Sequence, residues 1–320
     1  VIDPTIARES VQWFEQAFNG KKASDVRITI QLNQASFLIG LVGIGILIFL
    51  AMVLLRNKLL IKPTSYPGEK VMKEASTFQL GALYILATVI GTLLLIPLGL
   101  SFLAVLPISM AHLLFAILVG NAIGILLLYY AFFVRKDEDL AMRDIPTKIR
   151  QSWGKDPRQS FFFGLISAIM SILLISSLMH WATNASFPTV REAGTIFGIT
   201  VLFFPFILIK EFFFRSLHDK LDHSDRVREF FSMWGIGILI DNFLMIPAMI
   251  FTWQDESTSI AFLALALTVV IIFSLIQQYL TTWAYMQSGR SILGSTIFLT
   301  VFYAWMIVNF FPFSTNITLI

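Results

Sequence analysis

Asp241 and Asn242 are the residues of this sequence whose type and position most clearly suit a chemical role. They lie near the middle of a strongly apolar segment, FFSMWGIGILIDNFLMIPAMIF, at residues 230–251. An aspartate at the centre of a membrane helix costs about 2.5–3.5 kcal/mol on insertion scales, so it is a functional candidate by default. Two interpretations stay open: a substrate, proton or metal site, or a structural Asp241 that is protonated or hydrogen-bonded to another helix. Donors on other apolar segments are Asn121, Gln277 and Gln278.

A second group of ionisable residues, Lys210-Glu-Phe-Phe-Phe-Arg215, ends another apolar segment. Glu211 and Arg215 are four residues apart, so they share one face of a helix and are expected to pair. They are the candidates for catalysis. Lys210 has a long apolar stem, and we expect its ammonium group to reach the inner membrane surface. Together with Asp241 and Asn242, Lys210 forms the candidate intramembrane polar site.

Histidines and aspartates follow this segment closely: His218, Asp219, Asp222, His223 and Asp225. Imidazole and carboxylate groups at such spacing are metal ligands in many proteins. The same residues are also typical of a solvated loop between two membrane segments. We favour the solvated loop, and the sequence predicts neither a metal site nor a cofactor.

The composition indicates what kind of element positions these residues. Apolar residues make up 57% of the 320 residues and charged residues 13%, with 31 Phe and a mean hydropathy of +0.78. Soluble domains have roughly 45–50% apolar and about 25% charged residues. A freely soluble globule and a disordered chain are therefore excluded, and the main partner is the lipid bilayer. No basic patch indicates a nucleic-acid partner. The absence of cysteine excludes disulfides, thiolate nucleophiles and Cys-ligated metals.

Eight apolar runs are long enough to cross a bilayer, which takes about 20 helical residues. The sequence therefore predicts an all-α polytopic membrane protein with a transmembrane domain at residues 35–311. Residues 21–34 are predicted to be a linker or short strand, and residues 312–320 an outer tail. The predicted spans are 35–55, 77–99, 108–134, 160–182, 194–214, 230–252, 259–285 and 291–311.

Basic residues predict the orientation of these spans. The loops that follow odd-numbered spans hold 18 of the 23 Lys and Arg residues, counting Lys210 at the end of span 5. The loops that follow even-numbered spans hold only Arg191, and four basic residues precede span 1. Because basic loops stay in the cytoplasm, both termini are predicted to be extracytoplasmic in the cell membrane. In the longest basic loop, 135–159, Leu140, Ile145, Ile149 and Trp153 fit either one apolar face of a helix lying on the inner leaflet or a mixed-charge solvated loop.

Residues 160–311 resemble the CAAX-protease and bacteriocin-processing family of membrane proteins. The segment Lys210 to Arg215 is similar to the family's Glu-Glu-x-x-x-Arg motif, and the Gly-rich stretch YMQSGRSILGSTIFLT at 285–300 is similar to its last conserved helix entry. The resemblance implies an intramembrane site that activates water with the Glu pair and histidines of later helices. Here the first Glu is Lys210, and spans 6–8 contain no His. The resemblance thus transfers only Glu211 and Arg215, and it implies a scaffold that has lost proteolysis.

Residues 1–18, VIDPTIARESVQWFEQAF, resemble the last helix of an α/β-hydrolase of the dienelactone-hydrolase or esterase kind. Asp3 and Pro4 suit the start of an amphipathic helix that needs a protein partner. The resemblance implies that residues 1–20 end an extracytoplasmic hydrolase domain truncated before Val1. In that family the triad His lies just before this helix, and no Gly-x-Ser-x-Gly elbow occurs in the 320 residues.

Together these observations favour a membrane domain that anchors or regulates its own upstream hydrolase-like domain and is not itself catalytic. A peptidase that uses Glu211 is the first alternative. A transporter with Asp241 as its coupling residue is the second, although the sequence shows no inverted repeat and no pair of broken helices.

Overall fold

A computed structural model of the chain describes residues 30–61, 76–94, 97–99, 101, 111–135, 142–154, 156–183, 188–220, 225–253 and 258–310. Within these ranges every regular element is a helix and none is a strand. The predicted hydrolase-like helix at 1–20 and the tail at 312–320 lie outside the described residues. Of the predicted linker 21–34, the described part is already helical, because the first helix begins at Ile30.

Ten α-helices have described bounds and are numbered here in chain order; residues 97–99 and 101 are also helical. A π-helical turn at Tyr130–Val134 follows α3, and a 3-10 turn at Met142–Asp144 precedes α4. The helices are α1 (Ile30–Lys58), α2 (Thr77–Leu93), α3 (Ala111–Tyr129), α4 (Ile145–Gln151), α5 (Pro157–Thr183), α6 (Val190–Lys220), α7 (Arg226–Asn242), α8 (Met245–Trp253), α9 (Thr258–Gln287) and α10 (Ile292–Phe310).

Several of these helices are long and apolar enough to cross a membrane. Among the described residues five qualify: Ile39–Lys58, Leu114–Val134, Pro157–Leu178, Glu192–His218 and Ile292–Asn309. The bent pair α7–α8 makes six if it is counted as one span. The predicted second and seventh spans coincide with α2, which is 17 residues long, and with α9, and neither is among these six. The chain is therefore a helical protein with five or six segments suited to a bilayer.

The sixth predicted span is a broken helix, and the prediction of one continuous helix at 230–252 is wrong. Helix α7 ends at Asn242, α8 begins at Met245, and their axes differ by 57°. Pro247 accounts for the break, because it has no N–H to donate to the carbonyl of Phe243 and its ring clashes with that carbonyl. The break places Asp241 and Asn242 at a helix C-terminus instead of in the middle of a continuous helix.

The described residues divide into two compact units. The first unit contains the start of α1, up to Leu50, and the end of α5, from Leu173. In this unit the two helices approach closely at Gly40, where a Cβ atom would lie 2.8 Å from Cδ1 of Leu178. The second unit contains the remaining described residues, including every polar residue discussed below.

Helices α2 and α3 of the second unit pack against each other through glycine. A Cβ atom on Gly120 would lie 2.8 Å from the Cα atom of Gly91, and one on Gly124 would lie 3.0 Å from the carbonyl oxygen of Ala87. Small residues let backbones approach closely in membrane bundles, where packing replaces the hydrophobic effect as the force between helices. This contact holds α2 directly against α3, which carries Asn121.

The short helix α4 belongs to the basic loop 135–159, and its apolar face packs on the helix bundle. Ile145 and Ile149 are buried in one cluster with Phe213 and Ile292. The loop is also tied to α10, because Ser291 Oγ donates to the carbonyl of Trp153 at 2.7 Å. A short helix with an apolar face is observed at Ile145 and Ile149, but this face packs on the helix bundle, whereas the prediction had it lie on the inner leaflet. Trp153 follows the end of the helix, and Leu140 lies outside the described residues.

A candidate intramembrane ion-pair site

Lys210 on α6 and Asp241 on α7 form an ion pair inside the second unit. The Lys210 Nζ atom lies 2.7 Å from Asp241 Oδ1, and the two side chains are 15% and 16% exposed. Gln278 on α9 donates a hydrogen bond from Nε2 to the other carboxylate oxygen, Asp241 Oδ2. Gln278 is one of the three donors expected from the sequence. The expectation that Lys210 reaches the inner surface is wrong, because an opposite charge within the bundle offsets the cost of burying its ammonium group.

Asn242 is fully buried beside this ion pair and joins α7 to α9. Its Nδ2 atom donates to the carbonyl of Ile238 and to Ser274 Oγ, each at 2.9 Å. Its Oδ1 atom has no hydrogen-bond partner within the described part of the chain. An amide oxygen that is buried without a donor is costly, so Asn242 presents an acceptor that a ligand could use.

Neighbouring helices fix the backbone that carries Lys210 and Asp241. The hydroxyl of Tyr84 on α2 donates to the carbonyl of Lys210, and the Tyr84 ring contacts Phe214 edge-on, with centroids 5.8 Å apart. The indole N–H of Trp234 on α7 donates to the carbonyl of Leu275 on α9 at 3.0 Å. These contacts tie α6 to α2 and α7 to α9, on either side of the ion pair.

The ion pair lines a cavity of about 90 Å³ between α3, α6, α7, α8, α9 and α10. This volume is enough for several water molecules or for one small ion with part of its hydration shell. The rest of the wall is apolar, which makes the polar residues stand out. They are Asn121, Lys210, Asp241, Asn242, Ser274, Gln277 and Tyr303.

Glu211 and Arg215 form a second buried pair on α6, as their spacing predicts. Arg215 Nε lies 3.0 Å from Glu211 Oε2, and both side chains are completely buried. The guanidinium carbon is 5.0 Å from the ring centroid of Phe214 and 4.7 Å from that of Tyr285, which suits a cation–π contact. Arg215 therefore has a carboxylate and two aromatic faces as partners.

His218 extends this pair into a network at the end of α6. His218 Nε2 lies 2.7 Å from Glu229 Oε1, and Arg290 Nη2 lies 2.8 Å from the same oxygen. The interpretation of His218 as part of a solvated loop is wrong, since its side chain is fully buried. Asp225 instead caps α7 by accepting from the backbone N–H of Val227 at 2.9 Å.

The sequence did not single out Glu229 and Arg290 as partners of His218. They come from the start of α7 and from the turn between α9 and α10, so no helical spacing connects them to His218. A signal was present, because both are charged residues next to apolar segments and such residues often pair when the bundle assembles. His223 and Asp222 lie outside the described residues, as does the side chain of Asp219.

The chemistry open to Glu211 follows from its partner. An arginine stays protonated, so it stabilises the carboxylate but can neither pass a proton nor bind a metal alongside it. Within the described ranges no three His, Asp or Glu residues gather as they would around a metal ion. A general base also needs to contact water or substrate, and the Glu211 side chain is completely buried.

No family model, curated protein or solved structure matches the chain. Its class is therefore defined by its own features: a helical protein with several apolar segments suited to a membrane, and with charged pairs buried between them.

Proposed function

We propose that this chain is an eight-span integral membrane domain that anchors or regulates an extracytoplasmic α/β-hydrolase-like domain of the same protein and is not itself catalytic. Both termini are extracytoplasmic in this proposal, and α2 and α9 complete the eight spans. The observation that carries the non-catalytic role is the fully buried Glu211–Arg215 pair. The hydrolase partner is supported by the resemblance of residues 1–18 to the last helix of such enzymes.

Glu211 in this proposal is structural, in contrast to a peptidase of the CAAX-protease kind. Such a site needs a second carboxylate or an imidazole to hold a metal or polarise water. The residue before Glu211 is Lys210, whose ammonium pairs with Asp241 and contributes a positive charge in place of a carboxylate. The resemblance over residues 160–311 then reflects a shared scaffold.

Hydrolysis assays test the non-catalytic role. The purified chain, incubated with a simple ester and with a prenylated peptide, is expected to show no turnover above detergent alone, and Glu211→Gln should change nothing. Turnover that is lost in Glu211→Gln but kept in Glu192→Gln, a matched change at the other end of α6, would establish the peptidase instead. The upstream coding sequence tests the partner: we expect a Gly-x-Ser-x-Gly elbow and a His shortly before Val1.

A second candidate function, a transporter that uses Asp241 as its coupling residue, is favoured by one specific observation. The ion pair lines a cavity at the break between α7 and α8. Transporters commonly place substrate and ion sites at discontinuous membrane helices. In proteoliposomes, an ion gradient should drive a proton flux that disappears in Asp241→Asn. An unchanged flux in that variant would exclude this function.

A further inference from the structure

We propose that the cavity beside Lys210 and Asp241 is a binding site for a monovalent cation, which occupies Asp241 in place of the lysine ammonium and displaces one proton from Lys210. This inference rests on the second candidate function and gives it a substrate class. It does not involve the anchoring role.

The position of Asp241 and Asn242 at the end of α7 favours a cation. Helix α7 stops at Asn242, and α8 leaves at 57°. The last carbonyls of a helix lack intrahelical donors, and the C-terminus carries a partial negative charge. Because Pro247 has no N–H, the carbonyl of Phe243 also loses its usual helical donor. The carboxylate of Asp241 thus adds a full negative charge where the backbone already attracts positive charge.

Residues that carry oxygen ligands for a small cation line the cavity. Asp241 contributes a carboxylate, and Asn242 carries a buried amide oxygen, Oδ1, that has no hydrogen-bond partner among the described residues and would have to turn toward the cation to bind it. Ser274 Oγ lies 2.9 Å from Asn242 Nδ2 and also lines the cavity. Carboxylate, carbonyl and hydroxyl oxygens, together with water, are the ligands of hard cations.

The charge balance of the cavity makes the cation and the lysine proton compete. Among the described lining residues Lys210 is the only cation and Asp241 the only anion. A second positive charge beside a protonated Lys210 would leave an uncompensated charge in an apolar wall, which is strongly unfavourable. A single carboxylate also balances the charge of a monovalent cation, whereas a divalent cation would leave one positive charge uncompensated. The cavity therefore holds either the ammonium group or a monovalent cation.

The titratable groups around the pair do not alter this balance. Tyr84 faces it from α2, where its hydroxyl donates to the carbonyl of Lys210, and Tyr303 lines the cavity from α10. On α6 itself, Glu211 and Arg215 neutralise each other. The lining residues from α3 and α9 are neutral.

The exchange step is balanced in atoms and charge. The cation leaves water and binds Asp241, one N–H bond of the Lys210 ammonium breaks, and the proton passes to water. Lys210 remains as a neutral amine, no electron is transferred, and the net charge of the cavity stays zero. One proton is released for each cation bound.

Cation binding is tested on the purified full chain in detergent. Sodium chloride and potassium chloride are each compared with choline chloride at equal ionic strength. We expect one of the two metal ions to raise the unfolding temperature and to release protons into weakly buffered solution. Because one proton leaves for each cation bound, the apparent dissociation constant should fall about tenfold for each unit of rising pH. A metal-ion effect that does not vary with pH, or no effect, overturns the proposal.

Two variants sharpen the test, and a third serves as control. Lys210→Met removes the competing ammonium, so cation binding should persist and become independent of pH. Asp241→Asn should abolish it. Lys58→Met, the same change at an exposed lysine of α1, should behave as the wild type. A pH dependence that survives in Lys210→Met contradicts the exchange.

The free amino acid glycine, tested under the same conditions, represents the competing class of ligand, a small zwitterion. Its ammonium and carboxylate groups could bind Asp241 and Lys210 together. Stabilisation by glycine without any response to sodium or potassium would overturn the cation site in favour of a zwitterion site. Proton release by the wild type needs no variant, so the proposal stays testable if Asp241→Asn does not fold. These measurements require no transport, and their failure is distinguishable from failure of the flux assay.

Discussion

Lys210 and Glu211 are neighbours in the chain, yet each pairs within a different polar cluster. Lys210 reaches Asp241 on α7, whereas Glu211 pairs with Arg215 one turn further along α6. Successive side chains of an α-helix point about 100° apart, because a turn takes 3.6 residues. One helix can therefore supply opposite charges to two sites, and each site neutralises the charge it receives.

Replacing Asp241 by Asn should destabilise the protein, because Lys210 loses its counter-charge. Breaking a buried pair by removing one partner typically costs about 3–5 kcal/mol, because the remaining charge is left uncompensated. We expect a lower free energy of unfolding in detergent for Asp241→Asn. The double variant Lys210→Met/Asp241→Asn should recover much of the loss. If Asp241→Asn has the same free energy of unfolding as the wild type, the ion pair contributes nothing to stability.

The sequence predicts part of this site, and the limits have physical causes. The Glu211–Arg215 pair follows from spacing within one helix, which sequence records directly. Gln278 is one of three donors for Asp241, and only the packing of α7 on α9 selects it. Lys210 and Asp241 are 31 positions apart in the sequence and lie on different helices, so no helical periodicity predicts that they pair.

The sequence also contains a signal for the break in the sixth span, although an incomplete one. Pro247 signals a kink, but prolines are tolerated inside membrane helices, and α6 continues through Pro205. Local sequence does not decide between a tolerated proline and a broken helix. The neighbouring helices that compensate the lost hydrogen bond make that difference.

Replacing Arg215 by Lys should destabilise the protein although it keeps the charge. The guanidinium bonds Glu211 through Nε and lies over the rings of Phe214 and Tyr285. An ammonium group lacks the planar shape for both contacts. We expect Arg215→Lys to lower the unfolding temperature, and Arg226→Lys, at an exposed position of α7, to have little effect. Equal stability of the two variants would show that charge alone matters at position 215.

Single cysteines at positions 148 and 315 should be labelled from opposite sides of the membrane. The chain has no native cysteine, so Lys148→Cys and Thr315→Cys each give one reactive site. Position 148 lies in a basic loop that is proposed to be cytoplasmic, and position 315 lies beyond the eighth proposed span. An impermeant thiol reagent added to intact cells should modify only the second. Five proposed spans separate the two positions, so labelling of both from the same side would mean that the true number of spans between them is even and that one span was miscounted.

Replacing Gly120 by Ala should weaken the contact between α2 and α3, whereas the same change at Gly81 should not. A Cβ atom at Gly120 would lie 2.8 Å from the backbone of Gly91, which cannot move without shifting α2, and nothing lies within 4 Å of a Cβ atom at Gly81. Overpacking of this kind costs about 1–3 kcal/mol. At Gly81 the higher helix propensity of Ala should add about 0.5–1 kcal/mol of stability instead. Unfolding temperatures in detergent should therefore move in opposite directions.

Because the hydroxyl of Tyr84 on α2 donates to the carbonyl of Lys210, Gly120→Ala should also disturb the ion pair. If Gly120→Ala is as stable as Gly81→Ala, the two helices do not pack as closely as the structure places them.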